Sequence, residues 1–300
     1  MTISTNELTK LIMDIAKVPS FTTYEFRLHP FIKKFCESIG AKPVFVDDGN
    51  IMVETRGTGE LSVALSAHLD KNDYWSCKDE EQPKKIPVTS DENEDGKLRL
   101  RGLLDDAVGV GVCLYLLKLS AHRKFPPLKI LLSECEESFF LRCLKTDKLH
   151  NDGVSKSGEE FYNGMGARRL SKRLIEQEKI PAAVVVVDVT PLFGGEPGIA
   201  LYSQPWERYG GSPTPELEKR TESLTKEFHK ICPRLKDANN KNDYVVYGEE
   251  LNKNGSVVPC FALEPSITYY HTSNEKVFVE DIMETTEVLA KFLESFAKNA

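Results

Sequence analysis

The sequence predicts an α/β protein: a three-layer α/β/α arrangement around a mixed, largely parallel central sheet. Two observations carry this. Segments with helical periodicity alternate with short extended runs along the whole chain, the pattern of crossover-connected strands. Two of those runs, "PLKILLSE" and "AAVVVVDVT", are apolar at nearly every position, as strands covered on both faces must be. Three hundred residues can form one large domain or two modest ones. No internal repeat or Gly/Ser/Pro linker divides the chain, so one domain over residues 1–300 is expected.

The elements follow in order. "TNELTKLIMDIAK" places Leu8, Leu11, Ile12 and Ile15 on one helical face, with Ser4 or Thr5 available as a cap. "YEFRLHPFIKKFCESIG" repeats the spacing with Phe31, Ile32, Phe35 and Ile39, and Gly40 stands where a helix should stop. Extended runs come next at "KPVFVDD", "NIMVETRG" and "LSVALSAHLD". A polar loop over 78–97 leads to the strand "KLRLRG" and a helix through "VGVGVCLYLLKL". Beyond "PLKILLSE", the polar stretch 144–179 contains a helical segment, "ARRLSKRLIEQ". The strands "AAVVVVDVT" and "VVPCFALEP" follow, and a terminal amphipathic helix carries Ile282, Leu289, Phe292, Leu293 and Phe296.

Composition excludes several function classes. A net charge of −7, with no basic stripe, argues against nucleic acid as the main partner. No apolar run approaches the ~20 residues of a membrane span. The N-terminus lacks a charged-then-apolar export pattern. Seven cysteines with no CxxC pair read as free thiols in a reducing compartment, which predicts a cytoplasmic location.

The acids and histidines are less ordinary. "LLSECEESFF" drives an apolar run inward and then brings Glu134, Glu136 and Glu137 together. A buried, unpaired carboxylate costs several kcal/mol or protonates. Other predicted strands or turns end in the same kind of residue: His68 and Asp70, Asp105 and Asp106, Asp188, and His271 before the last helix. Taken singly, His68 reads as a core histidine and Asp105 or Asp106 as a helix cap. Taken jointly they are harder to dismiss, because open α/β sheets bind ligands beyond the carboxyl ends of their strands. Two histidines with three or more carboxylates suit a divalent ion such as zinc. Two ions ~3.5–4 Å apart need a bridging carboxylate, and would let several acids stay ionised together.

The order His-x-Asp, Gly-x-x-Asp-Asp, Glu-Glu, Asp and His resembles that of the co-catalytic dizinc metallopeptidases, above all the glutamyl aminopeptidase-like branch. "VPSFTTYEFRLHPFIKKF", "DDGNIMVETRG", "VVDVTPLFGGEPG" and "YYHTSNEKVFVEDI" extend the likeness over about residues 8–296. The resemblance implies two divalent ions, zinc first and cobalt or manganese as substitutes. By it, Asp105 bridges both ions, His68 and Asp188 complete one site, and Glu137 and His271 complete the other. Asp70 orients His68, and Glu136 is the general base. Glu134 has no counterpart and reads as a surface or supporting residue; Asp106 is not a ligand.

The implied activity is an aminopeptidase acting on peptides. A carboxypeptidase or deacylase acting on peptides or N-acyl amino acids is the first rival, and a catalytically silent relative the second. Homo-oligomer formation is compatible with the resemblance. The chain departs from these relatives in several places. Residues 71–104 and 189–270 are too short for the inserted domain or lid that relatives carry, so no lid or dimerisation domain is expected. Ser138 replaces a frequent glycine and is followed by Phe139 and Phe140, while Thr268 and Tyr269 stand where an arginine is frequent. His29, His122, His150 and His229 read as surface or structural, and Cys135 as a buried thiol. "GVGVC" is not a phosphate loop, and no GxSxG elbow is present.

Overall fold

The structure, a computed structural model, describes residues 2–92 and 96–299, without the side chains of Glu92, Ser138, Phe139 and Asn299. The strands are β1 (Pro43–Val46), β2 (Asn50–Glu54), β3 (Val63–His68), β4 (Thr89–Glu92), β5 (Leu98–Gly102), β6 (Leu128–Ser133), β7 (Ala183–Val187), β8 (Ile199–Tyr202), β9 (Lys236–Ala238), β10 (Cys260–Pro265), β11 (Ile267–Thr268) and β12 (Glu275–Phe278). The helices are α1 (Thr5–Ala16), α2 (His29–Ser38), α3 (Ala107–Leu119), α4 (Ser138–Cys143), α5 (Met165–Glu176), α6 (Trp206–Tyr209), α7 (Pro215–Ile231), α8 (Asp243–Asn252) and α9 (Val279–Asn299).

Eight strands form the main sheet in the order β1-β2-β6-β3-β7-β10-β8-β9. Its centre, β6-β3-β7-β10, is parallel throughout, while β2 and β8 flank it antiparallel. The carboxyl ends of four neighbouring strands therefore open on one edge, as the apolar runs imply. One face packs against α1, α3 and α9, where Ile12, Val112, Leu116, Phe292 and Leu293 are buried. The other packs against α5 and α8 through Leu170, Leu174, Tyr244 and Tyr247. α5 is otherwise polar. Most of its 12 residues are good helix formers, but a helix this short is marginal alone, and buried Met165, Leu170 and Leu174 add roughly 1.5–3 kcal/mol each.

Local signals act as their chemistry requires. Ser4 caps α1 by accepting the Glu7 N–H. The helix expected from residue 24 starts at His29 after a 3-10 turn over Glu25–Leu28. The glycines of "GVGVC" serve packing: a Cβ on Gly109 would lie 2.2 Å from the Val187 carbonyl, and one on Gly111 would meet Ile12.

Three expectations are corrected. The loop over 78–97 contains β4, which pairs antiparallel with β5. Together with β12 and β11 these form a second, four-stranded sheet in the order β11-β12-β5-β4. The uninterrupted polar run of Thr89–Glu92 conceals an edge strand, because the exposed side chains of Thr89, Ser90 and Asp91 stay in water while the backbone pairs with β5. Second, not all cysteines are free. Cys77 and Cys143 form a disulfide with Cα atoms 5.6 Å apart, while Cys36, Cys113, Cys135, Cys232 and Cys260 are free and buried. The partners are 66 residues apart and only the fold brings them together. Third, residues 199–252, which carry no expected elements, hold two strands and three helices.

Candidate metal centre

The segments expected to carry chemistry converge from both sheets: His68, the Glu136–Glu137 pair and Asp188 end or follow strands of the main sheet, Asp105 and His271 strands of the four-stranded one. His68 is the last residue of β3, level with Ser133 of β6. Glu136 and Glu137 follow β6 at the start of α4, and Asp188 follows β7. Asp105 lies between β5 and α3, joined to Asp106 by a cis peptide bond. His271 sits in the turn between β11 and β12.

The side chains converge. His68 Nε2 lies 3.0 Å from Asp105 Oδ1 and 3.7 Å from Asp188 Oδ1. His271 Nε2 lies 3.5 Å from Asp105 Oδ2 and 3.3 Å from Glu137 Oε2. The two oxygens of Asp105 thus face two different imidazoles. Donor atoms of His68, Asp105 and Asp188 fall within 4.8 Å of one another, as do those of Asp105, Glu137 and His271. His68, Glu136 and Glu137 form a third such group, so Glu136 stands beside both.

Asp70 is wholly buried and holds this arrangement from behind. His68 Nδ1 is 3.0 Å from the Asp70 carbonyl and 3.3 Å from its Oδ1. Its carboxylate also accepts the Glu136 N–H at 3.0 Å, the Glu137 N–H at 3.1 Å and the Thr22 hydroxyl at 3.0 Å. Burial pushes its carboxyl up, but the His68 bond and the two N–H donors outweigh this and hold it below the usual range.

The electrostatics are those of a site built for cations. Burial raises Glu136 well above the carboxylate range, and Asp188, Asp243 and Asp70 raise it further. Glu137 is raised by burial, Asp105 and Glu136. Asp188 is also raised, by burial first. Asp105 moves the other way: burial opposes ionisation, yet His271 and His68 on either side hold it ionised. Divalent cations would remove the conflict among these acids. The geometry offers an independent test of fit, since His271 Nε2 is buried and has no hydrogen-bond partner. A bare imidazole nitrogen aimed between two carboxylates suits a divalent ion.

The sequence profile of peptidase family M28 matches residues 50–292. The chain belongs to peptidase family M28. Members of M28 are typically dizinc metallopeptidases, and this chain is a metallopeptidase of that family. No curated protein sequence matches it. Solved structures share the M28 chain's fold at low identity. An aminopeptidase from the archaeon Desulfurococcus kamchatkensis is 14% identical, with a TM-score of 0.64, over 97% of this chain and 95% of its own. The TET1 peptidase of Pyrococcus horikoshii is 14% identical, with a TM-score of 0.59, over 98% and 99%. Aminopeptidase PepT from Bacillus cereus is 12% identical, with a TM-score of 0.63, over 98% and 99%.

Several residues of this M28 chain escape a reading of its sequence. Glu275 is fully buried: Oε2 accepts the N–H groups of Leu104 and Asp105 at 2.7 and 3.1 Å, and Oε1 accepts that of His271 at 3.1 Å. One side chain therefore braces two of the site residues. Glu134 is not a surface residue; it is fully buried, paired with Arg169 at 2.8 Å and bonded to Gly49 N at 2.7 Å. Glu25 accepts the Cys135 N–H at 3.0 Å. These bonds hold the chain around Cys135, which takes φ 54°, an unfavourable left-handed conformation tolerated beside the site. Asp106 caps α3 through the Gly109 N–H at 2.7 Å. The expectation for Ser138 and Phe139 lies outside the described side chains, while Phe140 packs edge-on to His271 with ring centroids 5.8 Å apart. A cavity of about 910 Å³ lies away from these acids, along β1, α5 and α8. Ligand chemistry, rather than cavity size, locates the centre.

Proposed function

We propose that the chain is an aminopeptidase, with Asp105 shared between two divalent cations, His68 and Asp188 on one side and Glu137 and His271 on the other. The observation that carries this reading is the placement of the two Asp105 oxygens against two separate histidines. When bound, the cations supply Lewis acidity, lowering the pKa of water and polarising the scissile carbonyl. Glu136 is the general base. It takes the proton of the attacking water and returns it to the departing amine, a role suited to a carboxyl that keeps part of its surface open. Asp70 fixes the backbone of Glu136 and Glu137 and the ring of His68, so base and ligands share one anchor.

The acids around Glu136 would serve a carboxypeptidase or deacylase equally, so the choice of the N-terminus is supported by the family match over residues 50–292 and by the aminopeptidases among the structural neighbours. The test is a matched set of short peptides with free or acetylated N-termini and free or amidated C-termini. Release of N-terminal residues that is abolished by acetylation supports the assignment. C-terminal release, or removal of the acyl group, replaces it with a carboxypeptidase or a deacylase.

The same reading takes residues 1–300 as one catalytic domain, supported by the packing of α1, α3 and α9 into a common core. Among the described residues no helix is long and apolar enough to cross a membrane. Five buried free thiols favour the cytoplasm, and the Cys77–Cys143 bond opposes it. Homo-oligomer formation belongs to the proposal too, since the Pyrococcus horikoshii peptidase can assemble into a tetrahedron or a large octahedral shell.

A further inference from the structure

We propose that Asn242, at the N-terminus of α8, is a positioning residue that holds Asp188 in its ligand orientation, with buried Glu264 as its anchor. The inference rests on the two-cation reading above and concerns one side of that centre.

Asn242 uses its whole amide. Its Nδ2 donates to Asp188 Oδ2 at 3.2 Å and to Glu264 Oε1 at 2.6 Å. Its Oδ1 caps α8 by accepting the Tyr244 N–H at 2.9 Å. Flipping the amide would turn an oxygen on two carboxyl groups and an NH₂ on a backbone N–H, so only one orientation is allowed. With Oδ2 held there, Asp188 turns Oδ1 toward His68, at 3.7 Å, and steadies it with the Val189 N–H at 2.7 Å. Glu264 lies on β10 and is 1% exposed, which makes it a fixed acceptor. On the other side the Asn72 amide makes only a long contact, Nδ2 lying 3.4 Å from Glu137 Oε1, and Glu275 braces the backbones of Asp105 and His271.

Residues that orient a metal ligand typically contribute 10–100-fold in affinity. The test uses the full chain, stripped of metal by a chelator and titrated with zinc against a competing indicator. Asp188→Ala identifies which of the two binding events belongs to the His68 and Asp188 side. Asn242→Ser keeps a helix cap but removes the amide. It should weaken that same event by about 10–100-fold and leave the other unchanged, while the metal-free chain still unfolds in one cooperative transition, at a somewhat lower melting temperature because Glu264 loses a donor. Asn242→Gly, also tolerated at a cap, carries the same expectation should the serine variant not fold. Wild-type affinity at both sites in the folded variant overturns the inference alone. A wild-type chain that takes up fewer than two ions overturns the two-cation reading and this inference together.

Discussion

The Asp70 carboxylate accepts the backbone N–H of Glu136 at 3.0 Å. Through this bond, the residue that orients a candidate ligand, His68, also sets the position of the candidate base. Asp70→Asn puts an NH₂ where one oxygen now accepts an N–H or a hydroxyl. Metal affinity and turnover are expected to fall together, each by about 10–100-fold. Zinc titration and steady-state kinetics on one preparation check this; a loss of turnover with unchanged zinc affinity would separate the two roles.

Glu136→Gln isolates the base. The side chain keeps its shape but cannot accept a proton. Turnover should drop by about 10²–10⁴ while two ions per chain remain. Single-turnover kinetics and elemental analysis give both numbers, and near-normal turnover would remove Glu136 from the mechanism.

Changing Asp105 to Ala should empty both sites at once, because its oxygens face both His68 and His271. Loss of one ion with retention of the other contradicts the shared role. Glu275→Gln is a subtler relative: it replaces one acceptor of three backbone N–H groups with a donor. A buried N–H left unpaired costs about 1–3 kcal/mol. Denaturant unfolding should register that loss, with weaker zinc binding on both sides.

The fold's buried acids also predict a pH dependence for the metal-free chain. Asp243 is buried beside Ser133, and its carboxyl is raised from 3.8 to about 7, by burial first and by Asp70 and Asp188 against the pull of Ser133 and His68. A carboxyl raised in the folded state keeps its full stability while protonated in both states, and loses it as pH climbs from the unfolded toward the folded value. The melting temperature of chelated protein should therefore fall between about pH 4 and pH 7. Asp243→Asn should flatten part of that fall, the rest coming from other raised acids such as Glu264. An unchanged slope would show that Asp243 does not titrate in this range.

The strand-end residues His68, Asp188 and the Glu136–Glu137 pair are legible in the sequence for a physical reason. Each breaks an apolar run where a polar group is expensive, so the anomaly is local. Glu275 and Asn242 are not legible in this way. "SNEKVF" and "NKNDY" are polar stretches in which an acid or an amide normally faces water. Their burial comes only from the pairing of β12 with β5 and from the seating of α8 over the sheet. Glu134 falls between these cases: its partner, Arg169, lies on α5, so its sequence context shows the anomaly without the answer. The Cys77–Cys143 bond and the β4 edge strand are likewise properties of distant contacts.

Anomalous diffraction from crystals of the zinc-loaded chain, collected at the zinc absorption edge, bears most directly on the shared carboxylate. Two peaks about 3.5–4 Å apart are expected, one toward His68 and one toward His271, with Asp105 between them. A single peak, or peaks out of reach of Asp105, would contradict the account.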